Sequence, residues 1–263
     1  MNIVVCIKQV PDTTDVKINP ETNTLVREGV ESIINPFDMY AIEESIRLRE
    51  RFGGKVTVIT MGPPQAKEAL REAISLGADE AILLSDRAFA GSDTWATSLV
   101  LAKAIKKIGV HDLVICGKQA SDGDTAQVGP GIATHINLPQ ATYVRRIDTV
   151  HLDSEPKIMV VERLLEEGYE LLELKLPALI TVVKEINEPR LPSLRGKMTA
   201  RKAEITVWTN EELNIDNSQI GLDGSPTRVA KIFTPPQKIG GKIFQGEPQE
   251  VVESLMSEIK DIL

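Results

Sequence analysis

Leu113-Val114-Ile115-Cys116-Gly117-Lys118-Gln119-Ala120-Ser121-Asp122-Gly123-Asp124-Thr125-Ala126-Gln127-Val128-Gly129-Pro130-Gly131 runs from a short apolar segment into a glycine-studded, hydroxyl-bearing loop, and the weakly apolar Ile132 to Leu138 reads as the helix that follows. A strand that empties into such a loop and then into a helix start is how α/β proteins present backbone N–H groups to phosphate. The stretch is not a Walker loop, because Gly117-Lys118 opens it instead of closing it ahead of Ser or Thr, and it is not a G-x-G-x-x-G fingerprint. An ordinary glycine-rich turn is the bland reading. Asp122, Asp124 and Thr125, crowded beside glycines, exceed what a turn needs, and the segment is read as a loop facing a nucleotide.

Outward from that loop the chain alternates. Ile3 to Gln9 reads as a buried parallel strand, and a loop follows to Ile34. Asn35-Pro36-Phe37-Asp38 supplies an N-cap candidate, a proline at the first helical position and an acid in the first turn, so a helix is expected from Pro36 to about Arg51. Val56 to Met61 (strand), Ala66 to Leu76 (helix, Gly77 past its end), Ala81 to Leu84 (strand) and Thr94 to Ile108 (helix, capped by Ser92 or Asp93) lead to Leu113. This rhythm predicts an α/β fold, a doubly wound and mostly parallel sheet covered on both faces. Ligands on such sheets sit at the carboxyl ends of the strands, where the loops after Ile7, Thr60, Leu84 and Cys116 meet.

Composition narrows the class. A chain of 263 residues with 42% hydrophobic content can bury one large core, with or without an appended lobe. A formal charge of −8 argues against sequence-wide attraction to nucleic acid or anionic lipid. Cys6 and Cys116 lie inside apolar runs as small hydrophobes, no run approaches a membrane span, and a reducing cytoplasm is expected. Three scattered histidines and no C-x-x-C offer no metal ligand set.

Past Leu138 the pattern changes. Thr142 to Leu152, Lys157 to Leu165 and Tyr169 to Leu176 read as antiparallel strands, with Glu166-Glu167-Gly168 as a hairpin turn, and Ala178 to Val183 as a returning apolar strand. Asn187 to Lys202 is expected to be a long exposed segment. Arg190, Arg195, Lys197, Arg201 and Lys202 stand there with no acid from Arg190 onward, around Leu191 and Leu194; a solvated face is one reading and a docking loop with apolar anchors the favoured one. Gly240-Gly241 and Gly246 punctuate a linker-like stretch, after which Val251, Val252, Leu255, Ile259 and Ile262 share one face of a helix begun at Pro248. Residues 1–225 are read as the nucleotide-binding domain and 226–263 as a C-terminal arm that needs another surface.

The remaining candidates each have an ordinary alternative. Asn35 to Asp38 can present donors to a ribose or phosphate, or simply cap a helix. Cys6 and Met61 can line an adenine pocket, or simply pack. Gly91-Ser92-Asp93-Thr94 can hold an anion at a helix start, or simply cap it. No Ser-His-Asp order or H-E-x-x-H stands out, so a bound cofactor, and not a side chain, is expected to carry any chemistry.

The segment Val161-Glu162-Arg163-Leu164-Leu165-Glu166-Glu167-Gly168-Tyr169-Glu170-Leu171-Leu172-Glu173-Leu174-Lys175-Leu176-Pro177-Ala178-Leu179-Ile180-Thr181 resembles the signature of the β subunit of electron-transfer flavoproteins. Val5-Cys6-Ile7-Lys8-Gln9-Val10-Pro11-Asp12, Asn35-Pro36-Phe37, Gly117-Lys118-Gln119-Ala120 and Asn187-Glu188-Pro189-Arg190 are similar to that family too, so the likeness covers essentially the whole chain. It implies an adenine-nucleotide-hydrolase-like fold with a hairpin extension, pairing with an α subunit that holds an FAD, and a second nucleotide held by this chain. Carried over, the pocket comprises Cys6, Asn35, Pro36, Phe37, Asp38, Met61, Thr94, Gly117, Lys118, Gln119, Asp122, Gly123, Asp124, Thr125, Ala126, Gln127, Val128 and Gly129. The family's partner-recognition loop falls on Leu191 to Ala200, with Leu191, Leu194, Arg195 and Lys197 as docking residues.

Within the family the nucleotide is either a structural AMP or an FAD that accepts hydride from NADH. The small Gly123 to Gly129 sequence and Gly91 to Thr94 look like the electron-bifurcating group, so FAD is expected and AMP in a simple electron shuttle is the alternative. The implied partners are an acyl-CoA-dehydrogenase-type flavoprotein and ferredoxin or flavodoxin, with no nucleic acid and no membrane span. A stand-alone adenine-nucleotide sensor is a reading of another class, and it leaves the hairpin, the basic segment and the tail unexplained.

Overall fold

The computed structural model describes residues 1–12, 18–19, 24–25, 32–230 and 240–260. They fall into two compact units, Met1–Ala230 and Lys231–Leu263.

The first unit opens with β1 (Asn2–Cys6), a short antiparallel pair of β2 (Gln9–Pro11) with β5 (Ser32–Ile34), and a two-residue pair of β3 (Ile18–Asn19) with β4 (Thr24–Leu25). Then come α1 (Pro36–Phe52), β6 (Lys55–Met61), α2 (Lys67–Leu76), β7 (Glu80–Leu84), α3 (Thr94–Ile108), β8 (Leu113–Gly117) and α4 (Val128–Ile136). The chain continues through β9 (Gln140–His151), β10 (Ile158–Leu165), β11 (Gly168–Lys175), β12 (Ala178–Val182), α5 (Leu194–Lys202), β13 (Thr206–Trp208) and α6 (Asn210–Leu213).

Nine strands form one sheet in the order β11-β10-β9-β12-β8-β1-β6-β7-β13. From β9 to β13 every neighbouring pair is parallel, and β10 and β11 extend the β9 edge as an antiparallel meander. The sheet is wound on both sides because its apolar strands alternate between two cores. Ile3 and Val5 of β1, Leu113 and Ile115 of β8, and Ile180 and Val182 of β12 face one cluster with α1 and α2. Val4 and Cys6, Val114 and Cys116, and Leu179 face the other with α3 and α4. Both faces are buried, so the strands read as continuous apolar runs and not as alternations.

The winding direction reverses next to β1. β6 and β7 build outward on one side of it, whereas β8 returns to pair with its other edge. The crevice between the carboxyl ends of β1 and β8 is therefore the switch point where a doubly wound sheet receives a ligand.

The expected strands and helices are present up to α4, except that the first strand, expected over Ile3 to Gln9, ends at Cys6 and Gln9 belongs to β2; the Glu166-Glu167 turn joins β10 to β11 with Leu165 opposite Gly168. Three further expectations are corrected. The loop expected before Ile34 contains the β2–β5 pair. The segment 187–202, expected as irregular, ends in α5, which buries only Ala200 and so carries little periodicity. Ser193 caps it by accepting from Gly196 N–H at 3.0 Å, and Arg71 of α2 donates to the carbonyls of Ala200 (2.9 Å) and Ala203 (3.2 Å) at its far end. The third correction is β13, which pairs with β7 beyond the last strand expected.

In the second unit α7 (Pro248–Ile259) starts with proline in its first turn and carries Val251, Val252, Leu255 and Ile259; Ile262 lies outside the described residues. No helix among the described residues is long and apolar enough to cross a membrane.

Candidate functional site

The switch point is built around the N-terminus of α1. Asn35 is 1% exposed and stands at the N-cap position, but its side chain does not cap the helix. Its amide reaches the β8–α4 loop instead: Nδ2 donates to the Gln119 carbonyl at 2.8 Å, and Oδ1 accepts from the Ser121 N–H at 3.0 Å. Pro36 brings no N–H of its own to the helix start, and the Asp38 N–H is taken by the Asn35 backbone carbonyl at 2.8 Å. Pro36 is exposed and Phe37 half-buried.

Asp38 is buried and accepts from the Lys8 N–H at 2.7 Å, with the Gly117 amide close beside it. Burial pushes its carboxyl up to about 7, against the lowering effect of those amides, Asn35 and the Lys8 charge. The end of β8 passes so close that a Cβ on Gly117 would overlap Asp38 Oδ1 and lie 2.7 Å from the Phe37 carbonyl carbon. Only glycine permits this approach. The Lys118 ammonium lies 4.8 Å from the Tyr143 ring centroid and 5.7 Å from that of Phe37.

Residues 121–125 of the loop are exposed. Both of its acids are engaged: Asp122 pairs with the Lys8 ammonium at 2.5 Å, and Asp124 accepts from the Gln119 side-chain amide. Asp124 (φ 52°) and Ala126 (φ 55°) hold left-handed backbone conformations, unfavourable for residues with a Cβ. Such conformations form the concavities in which successive amides bind anions. Gln127 precedes α4 without a side-chain cap and accepts from Thr94 Oγ1 at 2.8 Å, tying the start of α4 to that of α3. The first amides of α4, Val128 and Gly129, thus have no capping partner among the described residues. Gly129 is pressed onto β12, where a Cβ would meet Thr181 Cγ2 at 2.5 Å.

Cys6 and Cys116 are register partners at the floor of the crevice, both free and both in the core on the α3–α4 side. The Cys6 thiol is pushed well up by its hydrogen bond with Cys116, by burial, and by the nearby Cys116 and Asp38 charges. Met61 is half-buried at the end of β6, against the same core.

The polar side chains of Gly91 to Thr94 are engaged elsewhere. Asp93 caps α3 by accepting from Trp95 N–H (2.9 Å) and Ala96 N–H (3.1 Å), and its other oxygen accepts from the Thr227 N–H and hydroxyl. Ser92 Oγ accepts from Gly221 N–H at 3.1 Å. The helix-capping reading holds for Asp93, and Thr94 joins the site only through Gln127. Sequence reading missed Lys8, which it placed inside the first strand; a lysine at the carboxyl end of that strand was the available signal.

The residues expected to dock a partner lie on α5 and just before it. Leu191 is 90% exposed and Leu194, at the start of α5, is 78% exposed; Arg195 and Lys197 follow on the same helix. A Cβ on Gly196 would overlap the Ser75 carbonyl, so α5 lies directly on the end of α2. Arg190 is not one of the segment's free cations, because it pairs with Glu43 at 2.8 Å and Glu50 at 2.6 Å.

Residues 22–213 match the electron transfer flavoprotein domain. The chain is 54% identical over 260 residues to the electron transfer flavoprotein subunit beta of Thermoanaerobacterium thermosaccharolyticum, covering 98% of each chain. It is 51% identical to the caffeyl-CoA reductase-Etf complex subunit CarD of Acetobacterium woodii, covering 99% of this chain and 98% of that one. To the protein FixA of Azotobacter vinelandii it is 48% identical, covering 98% and 94%. An identity near one half along the full length, on a doubly wound sheet with the signature hairpin at its edge, places this chain in the electron transfer flavoprotein family as a β subunit.

Proposed function

We propose that this chain is the β subunit of a cytoplasmic, heterodimeric electron-bifurcating flavoprotein and that it binds FAD with the loop 117–129. The observation that carries the reading is the start of α4. An uncapped helix N-terminus follows a loop whose two acids are already paired, so the first amides of α4 stand at the end of that loop with little negative charge opposing an anion there. A pyrophosphate needs more donors than a monophosphate, which favours FAD over AMP.

An FAD held by this loop would supply the redox chemistry between NADH as hydride donor, ferredoxin or flavodoxin as one electron acceptor and, through the α-subunit FAD, an acyl-CoA-dehydrogenase-type partner as the other. The protein's own residues bind and orient. Val128 and Gly129 offer the helix-start amides, Asn35 and Asp38 fix the loop from below, and Lys8 neutralises Asp122. Leu191, Leu194, Arg195 and Lys197 form the docking face for the dehydrogenase, and the relative named as part of a caffeyl-CoA reductase-Etf complex supports an assembly of this kind.

The test is the nucleotide released on denaturing the purified heterodimer. Two FAD and no AMP per heterodimer are expected. One FAD with one AMP overturns bifurcation, and a loop 117–129 shown to be bare while the nucleotide sits elsewhere overturns the site.

A further inference from the structure

Asp38 is a buried acid on which two separate chain segments converge. Its carboxylate accepts from the amide of Lys8, two residues past β1, at 2.7 Å, and its other oxygen lies against Gly117, the last residue of β8, whose amide favours the charge. Those are the two strand exits that flank the switch point. At 5% exposure the side chain sits beneath the cofactor loop and not on its surface. We propose that Asp38 is a positioning residue for the nucleotide: its ionised carboxylate latches the exits of β1 and β8 together and so sets the shape of loop 117–129. The inference rests on the nucleotide site proposed above.

The chemistry makes the latch depend on charge. An ionised carboxylate accepts both amides, whereas protonation turns one oxygen into a donor facing an N–H. The groups around it are Cys6 from β1, Lys8 just beyond it, Asn35 just before α1, and Gly117 from β8, with Cys116 bonded to Cys6. Cys6 is held protonated, and the Lys8 ammonium is engaged by Asp122. Asp38, pushed up to about 7, is the member of this group that titrates near neutrality. A raised carboxyl contributes stability in its protonated form at low pH and loses it as pH rises toward 7, so above that point the fold carries a buried charge that disfavours it. A residue kept only for the fold would be better uncharged.

Asp38→Asn, nearly isosteric, separates the two roles. The full heterdimer carrying either residue is stripped of nucleotide, and binding of FAD and, separately, AMP is titrated from pH 6 to pH 8.5 alongside thermal unfolding. The variant is expected to unfold at no lower temperature than the parent at pH 8.5, yet to bind the nucleotide about tenfold more weakly. The parent's affinity falls as pH drops through about 7, and the variant's stays flat. Equal affinity and equal pH dependence in parent and variant overturn the latch while leaving the site in place. So does a variant that loses stability and affinity together, at every pH, with Asp38→Ala behaving the same way. A parent that binds neither FAD nor AMP overturns the site itself, and the latch with it.

Discussion

Arg190 Nε donates to Glu43 Oε2 at 2.8 Å, fastening the stretch before α5 to the middle of α1. Glu43 is 3% exposed, accepts also from the Arg190 N–H, and shares its carboxylate with Arg47. Removing one partner of a buried ion pair leaves the other charge uncompensated. Arg190→Met is expected to lower the unfolding free energy by about 2 kcal/mol, read from the urea midpoint at constant m. An unchanged midpoint would show that Arg47 alone satisfies Glu43.

The same pair predicts a pH dependence. Burial alone would raise the Glu43 carboxyl, but the hydrogen bonds from Arg190 and Arg47 outweigh it and hold the group below its ordinary value of 4.5. A depressed carboxyl contributes stability that is present above the ordinary value and is lost as pH falls through the folded one. Stability is therefore expected to fall as pH drops below 4.5, more steeply in the parent than in Arg190→Met. Parallel curves for the two proteins between pH 5 and pH 3 would remove Glu43 as a source of that slope.

Gly129→Ala tests the cofactor loop by shape. The added methyl would stand 2.5 Å from Thr181 Cγ2, so the first turn of α4 must lift from β12. Overpacking of this kind costs about 1–3 kcal/mol. The heterodimer is expected to fold, with a lower melting temperature, and to purify with less than half of its loop-bound nucleotide. Full occupancy in the variant would show that the start of α4 does not hold the ligand.

What the sequence revealed of this architecture follows from which contacts are local. The strands from β1 to β8 announce themselves because burial on two faces demands unbroken apolar runs, and α3 shows Asp93 as its cap because that bond spans only two or three residues. Asn35 is misleading in the same light. It has the residue type and position of a cap, yet its amide bonds residues 84 and 86 positions away, a partnership no window of sequence displays. The helix α5 is hidden for a related reason: it is stabilised by Ser193, by Arg71 of another helix and by the bare Cα of Gly196, not by an apolar stripe. The exposed leucines of that segment, by contrast, are visible at once.

Those leucines carry the last prediction. Leu194 is 78% exposed at the first turn of a helix whose position is fixed by contacts on its opposite side, so truncating it removes surface and little else. Leu194→Ala is expected to leave the melting temperature within the range of ordinary surface substitutions, about 0.5 kcal/mol in stability. If this face docks the dehydrogenase, electron transfer from the reduced heterodimer to that partner falls about tenfold, the usual weight of a central apolar anchor. Gly196→Ala acts through a different route. Its methyl would overlap the Ser75 carbonyl and push the whole of α5 off α2, so both stability and transfer fall. Stopped-flow mixing of each variant with the dehydrogenase separates the two effects. A Leu194→Ala heterodimer that transfers electrons at the parent's rate would remove α5 from the docking surface, whatever Gly196→Ala does.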